Sequence, residues 1–460
     1  MARILLVKTS PAHLHQARTA PPLGLMYLAA SLRESGHTPS ILDLRTNPLS
    51  REETGRRVSS FAPDVVGFSA FSVEMPQVRS LAGYLRDSGV FSGPMILGGP
   101  HASAAGPEAL CGGLFDVALK GEGDAALPRL VDALATGRSE GLDSIPGLSY
   151  QKNGGVAETG KPRLLADVDS LPFPAWDLVD VPSYFSAIRT CFLKNRPYMP
   201  VFTSRGCPYG CIYCHNIFGK KFRARSPENV LEEMSALIGR YGIREFEIQD
   251  DIFNYDPARA AEICEGILSR GWKVMISFPN GLRCDILDKG LLALMRRAGA
   301  YFLAVAVETA SERIQAMIHK NLDLKRVEET VRNARDLGIV TIGNFMLGFP
   351  TETGEELRRT IDFACRLPLN FASFMTVTPF PGTRLCEMCG QIEAPDESGM
   401  HFYRASHNLS TLSDREFFSL RRMAYRRFYA RLPQRVVFSG AHKSLALGRA
   451  VSHYFQMQLS

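Results

Sequence analysis

The sequence predicts an α/β protein in which a doubly wound parallel sheet precedes a partial (β/α)6 barrel. Short apolar runs alternate with amphipathic segments of helical length, which is the pattern of repeated βαβ units. Glycine-rich turns follow several of these runs, at the sheet edge where open α/β folds bind ligands. The chain has 460 residues, more than one hydrophobic core usually supports, so we expect several domains.

These patterns divide the chain into four regions. They are a Rossmann-like domain over 1–135, a connector over 136–195, a partial barrel over 196–385 and a mainly helical region over 386–460. Pro172 and Pro174 exclude a central strand or a helix interior from the connector, because proline removes a backbone donor. We expect the connector to pack across both domains.

The first region contains five predicted strands and two clear helical patterns. The helices cover 76–88 and 23–35, and Gly36 ends the latter. The predicted strands cover 3–7, 40–44, 64–69, 94–97 and 116–120.

The barrel region repeats a strand and a helix six times, and its mouth at the strand carboxyl ends would carry the site. The predicted strands cover 200–203, 245–249, 273–278, 302–307, 340–345 and 373–377. The helices between them include 227–241, 257–270, 289–298, 311–318 and 324–337.

The last region opens a helix at the capping box of Ser413 and Glu416, and its pattern continues to about residue 432. Aromatic residues alternate with arginines along it. We favour aromatic packing on the domain with a solvated or salt-bridged arginine face over binding of an anionic substrate or membrane surface.

Charge and hydropathy restrict the partners and the compartment. The net charge of +6 is too small for a nucleic-acid-binding surface, and no apolar run approaches the ~20 residues of a membrane span. The apolar run at the N-terminus is short for a signal peptide, so we expect a cytoplasmic protein with reduced cysteines.

A cysteine triplet directly follows the first predicted barrel strand. Cys207, Cys211 and Cys214 have C-x3-C-x2-C spacing on a loop that contains two glycines and a proline. A [4Fe–4S] cluster normally takes four cysteines, so three would leave one iron open for catalysis. Zinc is the alternative, and the adjacent His215 could supply its fourth ligand.

With the aromatic Tyr213 before its third cysteine, the triplet resembles the signature of the radical S-adenosylmethionine (SAM) enzymes. The resemblance implies that Cys207, Cys211 and Cys214 bind the [4Fe–4S] cluster and are catalytic. It also implies that SAM chelates the open iron and is cleaved to a 5′-deoxyadenosyl radical. An external one-electron reductant of flavodoxin or ferredoxin type would be the electron source.

The strand ends of the barrel resemble the SAM-binding segments of the same family, and residues 348–353 closely match its Gly-Phe-Pro-x-Glu-Thr segment. Residues 380–383 follow the sixth strand. The resemblance implies SAM contacts at Tyr213, Gln249, Asp250, Asp251, Asn280, Arg283, Glu308 and Asn344.

The first region resembles the cobalamin-binding domain of one branch of these enzymes, in segments 21–25, 69–72, 98–103 and 120–123. Small residues suit a cofactor tail that passes close to the backbone. The resemblance implies cobalamin contacts at Ser69, Phe71, Ser72, Gly98, Gly99, His101, Gly121 and Glu122.

One feature of many cobalamin proteins is missing. The Asp-x-His-x-x-Gly element that supplies an axial histidine is absent, and neither His13 nor His15 has its spacing. Relatives without the element also hold cobalamin. The alternative is a domain that has kept its fold and changed or lost its ligand.

Together the resemblances imply a monomeric, cobalamin-dependent methyltransferase acting on an unactivated carbon or phosphorus of a small molecule. One alternative keeps both cofactors without methyl transfer, as in an oxidative cyclase or a rearrangement. Another transfers the 3-amino-3-carboxypropyl group of SAM, with a cobalamin-free N-terminal domain. A non-enzymatic sensor would need an output domain, and we find none.

The remaining cysteines and histidines receive structural interpretations. Cys386 and Cys389 are interpreted as reduced thiols at a helix start, with substrate contact as the alternative. We expect core positions for Cys111, Cys264 and Cys365, leave Cys191 and Cys284 open, and expect structural roles for His401 and His407.

Overall fold

The computed structural model describes residues 1–9, 20–46, 48–136, 139–186, 197–390 and 407–430. It contains a seven-stranded sheet, a six-stranded sheet and a two-stranded ribbon. The predicted α/β fold class is confirmed, because each large sheet has a parallel core with helices between its strands.

The first sheet is doubly wound, and its strands lie in the order β2-β1-β3-β4-β5-β6-β7. The first five strands pair in parallel, and β6 and β7 are antiparallel. The strands are β1 Arg3–Lys8, β2 Thr38–Asp43, β3 Val65–Ser69, β4 Met95–Gly98, β5 Val117–Leu119, β6 Leu148–Lys152 and β7 Gly155–Glu158. The helices are α1 Leu23–Glu34, α2 Arg51–Phe61, α3 Met75–Asp87, α4 Gly99–Ala105 and α5 Ala126–Ala135.

The hairpin of β6 and β7 lies in the predicted connector, for which the sequence pattern indicated no particular strand. It pairs with β5 and so extends the first sheet to Glu158. Asn153 and Gly154 form its turn with φ of 51° and 80°, the two left-handed positions that an Asn-Gly turn provides. The hairpin signal was therefore present in the sequence.

The second sheet is a partial barrel of six parallel strands, in the order β15-β14-β13-β12-β11-β8. Its strands are β8 Tyr198–Val201, β11 Glu245–Ile248, β12 Met275–Leu282, β13 Ala300–Glu308, β14 Val340–Leu347 and β15 Phe371–Thr376. The ribbon pairs β9 Ser204–Arg205 with β10 Arg223–Ala224. The other helices are α6 Ser183–Ser186, α7 Pro227–Tyr241, α8 Pro257–Ser269, α9 Lys289–Ala298, α10 Glu312–Met317, α11 Leu324–Asp336, α12 Gly354–Arg366, α13 Arg384–Met388 and α14 Asp414–Tyr429.

The connector packs across both domains, as the sequence predicts. Trp176 and Val181 belong to one buried cluster with Met26 and Tyr27 of α1 and with Val201 of the barrel. The backbone NH of Ala175 also donates to the carbonyl of Met26 at 3.1 Å. This shared core holds the first sheet and the barrel together.

Helix α14 covers the edge strand β15, which would otherwise present unpaired backbone groups. The hydroxyl of Tyr425 accepts from the NH of Phe374 at 2.9 Å, and that of Tyr429 accepts from the NH of Ala372 at 3.1 Å. Arg421 is buried and donates to the carbonyl of Phe374 at 2.9 Å. The aromatic residues of this helix also lie in a buried cluster, so their predicted packing is confirmed, whereas the buried Arg421 departs from the predicted solvated or salt-bridged arginine face. Among the described residues, no helix has the length and apolar character to cross a membrane.

Candidate active site

The cysteine loop spans residues 206–222 and is enclosed by the ribbon of β9 and β10. The two limbs of the loop pass very close at Gly206, which has a φ of 83°. A Cβ there would lie 2.4 Å from the carbonyl oxygen of Lys221 and 2.9 Å from that of Phe218. Only glycine therefore permits this crossing, immediately before the first cysteine.

The three thiols lie close enough to influence one another's ionisation. Burial raises the pKa of Cys207, and the charges of Asp251 and Cys211 add to that effect. A thiol in such a place keeps its proton unless a metal replaces it. In the described part of the chain, no three His, Cys, Asp or Glu side chains form a group that could hold one metal ion. Three thiols on one loop are the donor set of a cubane with one open iron.

Two neighbouring segments hold the middle of the loop. The NH of Ile212 donates to the carbonyl of Ile318 at 3.2 Å, and the NH of Leu385 donates to the carbonyl of Ile212 at 2.9 Å. The thiol of Cys211 lies 3.9 Å from the carbonyl oxygen of His319. The loop is thus held between the turn after α10 and the first turn of α13.

Asp250 is buried and accepts hydrogen bonds from the residues just before this loop. It is 2% exposed and accepts from the backbone NH of Thr203 at 2.6 Å and from the Ser204 hydroxyl at 2.5 Å. Burial raises its pKa, although the charge of Arg259 opposes that shift. The SAM contact at Asp250 stays a prediction, and in this structure its oxygens accept from the residues that lead into the loop.

The neighbouring Asp251 faces the loop, as expected for a residue near SAM. Its carboxylate is 3.7 Å from Nε2 of His215 and bonds to the backbone of Gly206. Burial raises its pKa. His215 is paired with Asp251 here.

Two asparagines, each through its own hydrogen bonds, join the ends of the second and third barrel strands. The side chain of Asn280 donates to the carbonyl of Gln249 at 2.8 Å and remains exposed. The buried Asn254 exchanges hydrogen bonds with the backbone of Arg283, at 2.9 and 3.2 Å. Asn254 was missed in the sequence, where it carried no motif. The side chain of Gln249 also donates to Glu247.

Arg283 links its strand end to the cysteine loop. Its guanidinium lies 3.8 Å from the centre of the ring of Tyr209, a residue that stands between the first two cysteines in the sequence. The guanidinium also donates to Asp285 at 3.0 Å. It also donates to the carbonyl of Asn321 at 3.1 Å. These contacts place Arg283 beside the predicted cluster site.

The fourth strand ends in an ion pair against the loop. Glu308 has a φ of 67°, is 6% exposed, and pairs with Nζ of Lys320 at 3.3 Å. Burial opposes protonation of Lys320, but the charge of Glu308 raises its pKa above the usual value. Burial, with the charge of Glu308 adding to it, raises the pKa of Tyr213. Lys320 was missed, although a lysine after an apolar helix end was a visible signal.

The fifth strand places Asn344 on the half-buried side of β14, opposite the buried Phe345 and Leu347. In the following segment, Glu352 is fully buried and accepts from the NH groups of Gly348 and Phe349, at 2.8 and 3.0 Å. Burial raises its pKa to about 7. This glutamate closes its own turn.

The predicted cobalamin residues of the third and fourth strands do converge. His101 is 6% exposed, with Nδ1 3.1 Å from the Ser72 hydroxyl, and burial lowers its pKa to about 4. Gly99 has a φ of 85°, and a Cβ there would lie 2.8 Å from Oγ of Ser69. Gly98 accepts a backbone bond from Ala70 at 3.2 Å. The two turns thus form one close-packed edge.

Phe71 is the exposed residue of this edge, with 43% of its surface accessible. Glu74 accepts from the NH of Phe71 at 2.8 Å and pairs with Lys8 at 2.5 Å. The Lys8 ammonium lies 4.9 Å from the centre of the Phe71 ring. Lys8 was missed, although a charge at the end of a buried strand marks a functional edge.

Glu122 and Asp124 bond to the two-stranded ribbon at the base of the cysteine loop. Glu122 pairs with Arg223 at 2.7 Å, and Asp124 pairs with Arg205 at 2.7 Å. Glu122 also accepts from the NH of Leu165 at 2.8 Å. The cobalamin contact at Glu122 stays a prediction, and in this structure both carboxylate oxygens are bonded to Arg223. Gly121 packs on the connector, where a Cβ would lie 2.7 Å from Cβ of Pro162.

A second contact joins the same edges of the two domains. Gly382, which follows β15, would bring a Cβ within 3.1 Å of Ala104 in α4. Helix α4 itself begins directly at the end of β4. The carboxyl ends of both sheets therefore meet.

The other cysteines have mixed outcomes. Cys264 and Cys365 are buried as expected, but Cys111 is exposed because it follows a short 3-10 turn at the surface rather than a helix face. Cys284 is 3% exposed. Cys386 and Cys389 are half-buried on and just after α13, and His407 is half-buried. Cys191, His401, His13 and His15 lie outside the described residues.

Two family models match the chain. The radical SAM superfamily model matches residues 201–364, and the B12 binding domain model matches residues 15–131. An uncharacterized methyltransferase of Pyrococcus horikoshii is 35% identical over 377 residues, which are 80% of this chain and 78% of that protein.

Two further relatives carry named reactions. The cytidylyl-2-hydroxyethylphosphonate methyltransferase of Streptomyces wedmorensis is 29% identical over 81% of this chain and 78% of its own length. The anaerobic magnesium-protoporphyrin IX monomethyl ester cyclase of Rubrivivax gelatinosus is 26% identical over 89% and 74%.

Among solved structures, the radical SAM methyltransferase TsrM of Kitasatospora setae, with cobalamin and a [4Fe–4S] cluster bound, superposes with a TM-score of 0.70. The match covers 85% of this chain and 76% of TsrM at 20% sequence identity. The likeness establishes the common fold.

Proposed function

Because the chain belongs to the radical SAM enzymes that carry a B12-binding domain, we propose that it is a cobalamin-dependent methyltransferase. Its acceptor would be an unactivated carbon or phosphorus of a small molecule. The observation that carries the proposal is the meeting of the two carboxyl edges, at Glu122–Arg223 and at Gly382–Ala104. This arrangement suits a reaction that uses both cofactors on one substrate.

Cys207, Cys211 and Cys214 would hold the cluster. When bound, the cluster supplies an electron that cleaves SAM to a carbon radical, and the corrinoid supplies a methyl group. SAM carries an ammonium and a carboxylate on its amino-acid end. The buried pair of Glu308 and Lys320 has the matching charges and lies against the loop.

The other polar strand ends would orient SAM and keep it in the barrel. Asn280, Arg283 and Asn344 have amide or guanidinium donors at or near the mouth. Gln249 and Asp251 add acceptors beside the loop. Tyr213 packs within 5.9 Å of the Phe349 ring, which keeps one wall of this region apolar.

The first domain would hold cobalamin without a histidine ligand from the described residues. His101 is buried, and its Nδ1 is bonded to the Ser72 hydroxyl. The side chain of Phe71 has no atom that could bind cobalt, and its exposed apolar ring suits the flat surface of a corrin. Gly98 and Gly99 allow close approach of a ligand to the backbone.

The same proposal includes a cytoplasmic monomer that receives electrons from a flavodoxin- or ferredoxin-type protein. Free thiols and an oxygen-sensitive cluster both require a reducing compartment. A cyclase-type reaction is the second candidate, since the Rubrivivax cyclase aligns over 89% of this chain.

The products from SAM separate these functions. The protein is reconstituted anaerobically with iron, sulfide and hydroxocobalamin, and its iron and cobalt are counted. It is then reduced with dithionite and given methyl-labelled SAM. Corrinoid-dependent S-adenosylhomocysteine would support methyl transfer, and 5′-deoxyadenosine alone would favour the cyclase. A cluster without bound corrinoid, or methylthioadenosine as the product, would contradict the methyltransferase.

A further inference from the structure

Four buried charged side chains join the first domain to the ribbon that carries the cysteine loop. We call Glu122, Asp124, Arg205 and Arg223 the ionic clamp. Glu122 and Arg223 are 2% and 3% exposed in their side chains, and Asp124 and Arg205 are 6% and 7% exposed. Both arginines bond in a bidentate manner, the geometry in which guanidinium best fixes direction.

The two arginines of the ionic clamp stand at the two ends of the cysteine loop. Arg205 immediately precedes Gly206 on the inbound limb, and Arg223 begins β10 on the outbound limb. Arg223 also donates to the carbonyl of Phe218 at 2.7 Å, within the loop itself. Since the two limbs cross at Gly206, the clamp adds contacts from the first domain at both ends of the loop to those that the barrel makes with it.

Aromatic rings restrict the clamp further. The guanidinium of Arg205 lies 5.3 Å from the centre of the Tyr27 ring in α1 and 5.5 Å from that of Phe218 in the loop. Arg205 is thus held between a helix of the first domain and the loop. Rotation of this side chain would break contacts on both sides.

We propose that Glu122 and Asp124 of the first domain are positioning residues for the cluster, and that SAM cleavage depends on them. This inference rests on the proposed function only in taking SAM as the ligand of the cluster. The barrel strands that would bind SAM do not touch Glu122 or Asp124 in any contact described above. The loop is thus held from two sides, by its barrel contacts at Asp251, Ile318 and Leu385 and by the ionic clamp of the first domain.

The test compares Glu122→Gln and Asp124→Asn with the unaltered, cobalamin-loaded protein. Both changes keep size and remove charge. SAM cleavage to 5′-deoxyadenosine is measured with dithionite and no other substrate, so that it does not depend on methyl transfer. The same samples are assayed for iron and corrinoid, and the reduced cluster is examined by EPR with and without SAM.

We expect iron and corrinoid to be retained, kcat/KM for SAM cleavage per cluster to fall about 10- to 100-fold, and the SAM-induced EPR change to be altered. Asp124→Glu, which keeps the charge, should recover part of the activity. Arg33→Ala is the matched control. It breaks the exposed Arg33–Asp177 pair, which joins α1 to the connector away from the loop.

Two results would overturn the inference. One is unchanged cleavage and unchanged EPR in both folded variants. The other is a loss of activity that only follows a loss of iron, with normal cleavage per remaining cluster, since this indicates mere stabilisation. If Glu122→Gln does not fold, Arg223→Lys is used, because it keeps the charge and loses the bidentate geometry. If the wild-type protein binds no corrinoid, the proposed methyl transfer is contradicted. SAM cleavage by the wild type and the variants can still be compared, so the two failures are distinguishable.

Discussion

Asp250 accepts hydrogen bonds from both the backbone NH and the hydroxyl of Thr203, at 2.6 and 2.5 Å, beneath the start of the cysteine loop. Asp250→Ala leaves these donors buried without an acceptor, and each such group costs about 1–3 kcal/mol. We expect the free energy of unfolding of the apo protein to fall by about 3 kcal/mol in urea titrations. The exposed Asp87→Ala should change it little, and equal midpoints for the two variants would contradict the role of Asp250.

The cysteine triplet gives the second prediction. Cys211→Ala removes one of three cluster ligands, so SAM cleavage to 5′-deoxyadenosine should fall to background and the iron content should drop. Cys111 is exposed and distant in sequence from the loop, so Cys111→Ala is the control and should retain full cleavage. An active Cys211→Ala protein would refute the cluster assignment.

Gly99 tests the cobalamin edge separately from the cluster. An alanine Cβ there would lie 2.8 Å from Oγ of Ser69 and 2.9 Å from the NH of Ala70, at a φ of 85°. We expect hydroxocobalamin to bind about tenfold or more weakly in absorbance titrations, because the collision forces apart the Ser69 and Gly99 turns that would face the cofactor.

A matched control for this variant exists in the same domain. Gly112 has a φ of 90° but nothing within 4 Å of its Cβ position, so Gly112→Ala carries similar backbone strain without the collision. Its affinity for hydroxocobalamin should remain that of the wild type. Equal losses in both variants would show that strain alone, and not the Ser69 turn, weakens binding.

Glu352 predicts a pH dependence of stability. Its folded pKa of about 7 lies above the unfolded value of 4.5, because burial disfavours its charge. The folded state therefore binds this proton more tightly, and its contribution is fully present below pH 4.5 and lost as pH rises through about 7. The shift corresponds to about 3 kcal/mol.

Glu352→Gln should remove that dependence. Relative to the wild type, we expect the variant to gain up to about 3 kcal/mol of unfolding free energy between pH 5 and pH 8, measured by urea unfolding of the apo protein. Glu355→Gln is the control, because the side chain of Glu355 is 84% exposed. Its unfolding free energy should differ from that of the wild type by the same amount at both pH values. If the difference between Glu352→Gln and the wild type were also the same at both pH values, the raised pKa of Glu352 would be contradicted.

The sequence predicted the strands of both sheets well, because each is a local apolar run. All six predicted barrel strands are present, and the helices over Pro227–Tyr241 and Lys289–Ala298 begin and end where expected. The connector hairpin was missed because its outer strand, Gly155–Glu158, is largely exposed and has a weak apolar pattern. Its Asn-Gly turn was the stronger signal.

Cys207, Cys211 and Cys214 were also determined by the sequence alone, since ligand spacing on one loop is a local property. What the tertiary structure decided is the role of each charged residue around them. Asp124 meets Arg205 across 81 residues of chain, and Glu122 meets Arg223 across 101. No local pattern encodes such a partner. A buried carboxylate takes the nearest donor that the fold brings to it, and here the fold paired Glu122 with Arg223 at the end of the cysteine loop.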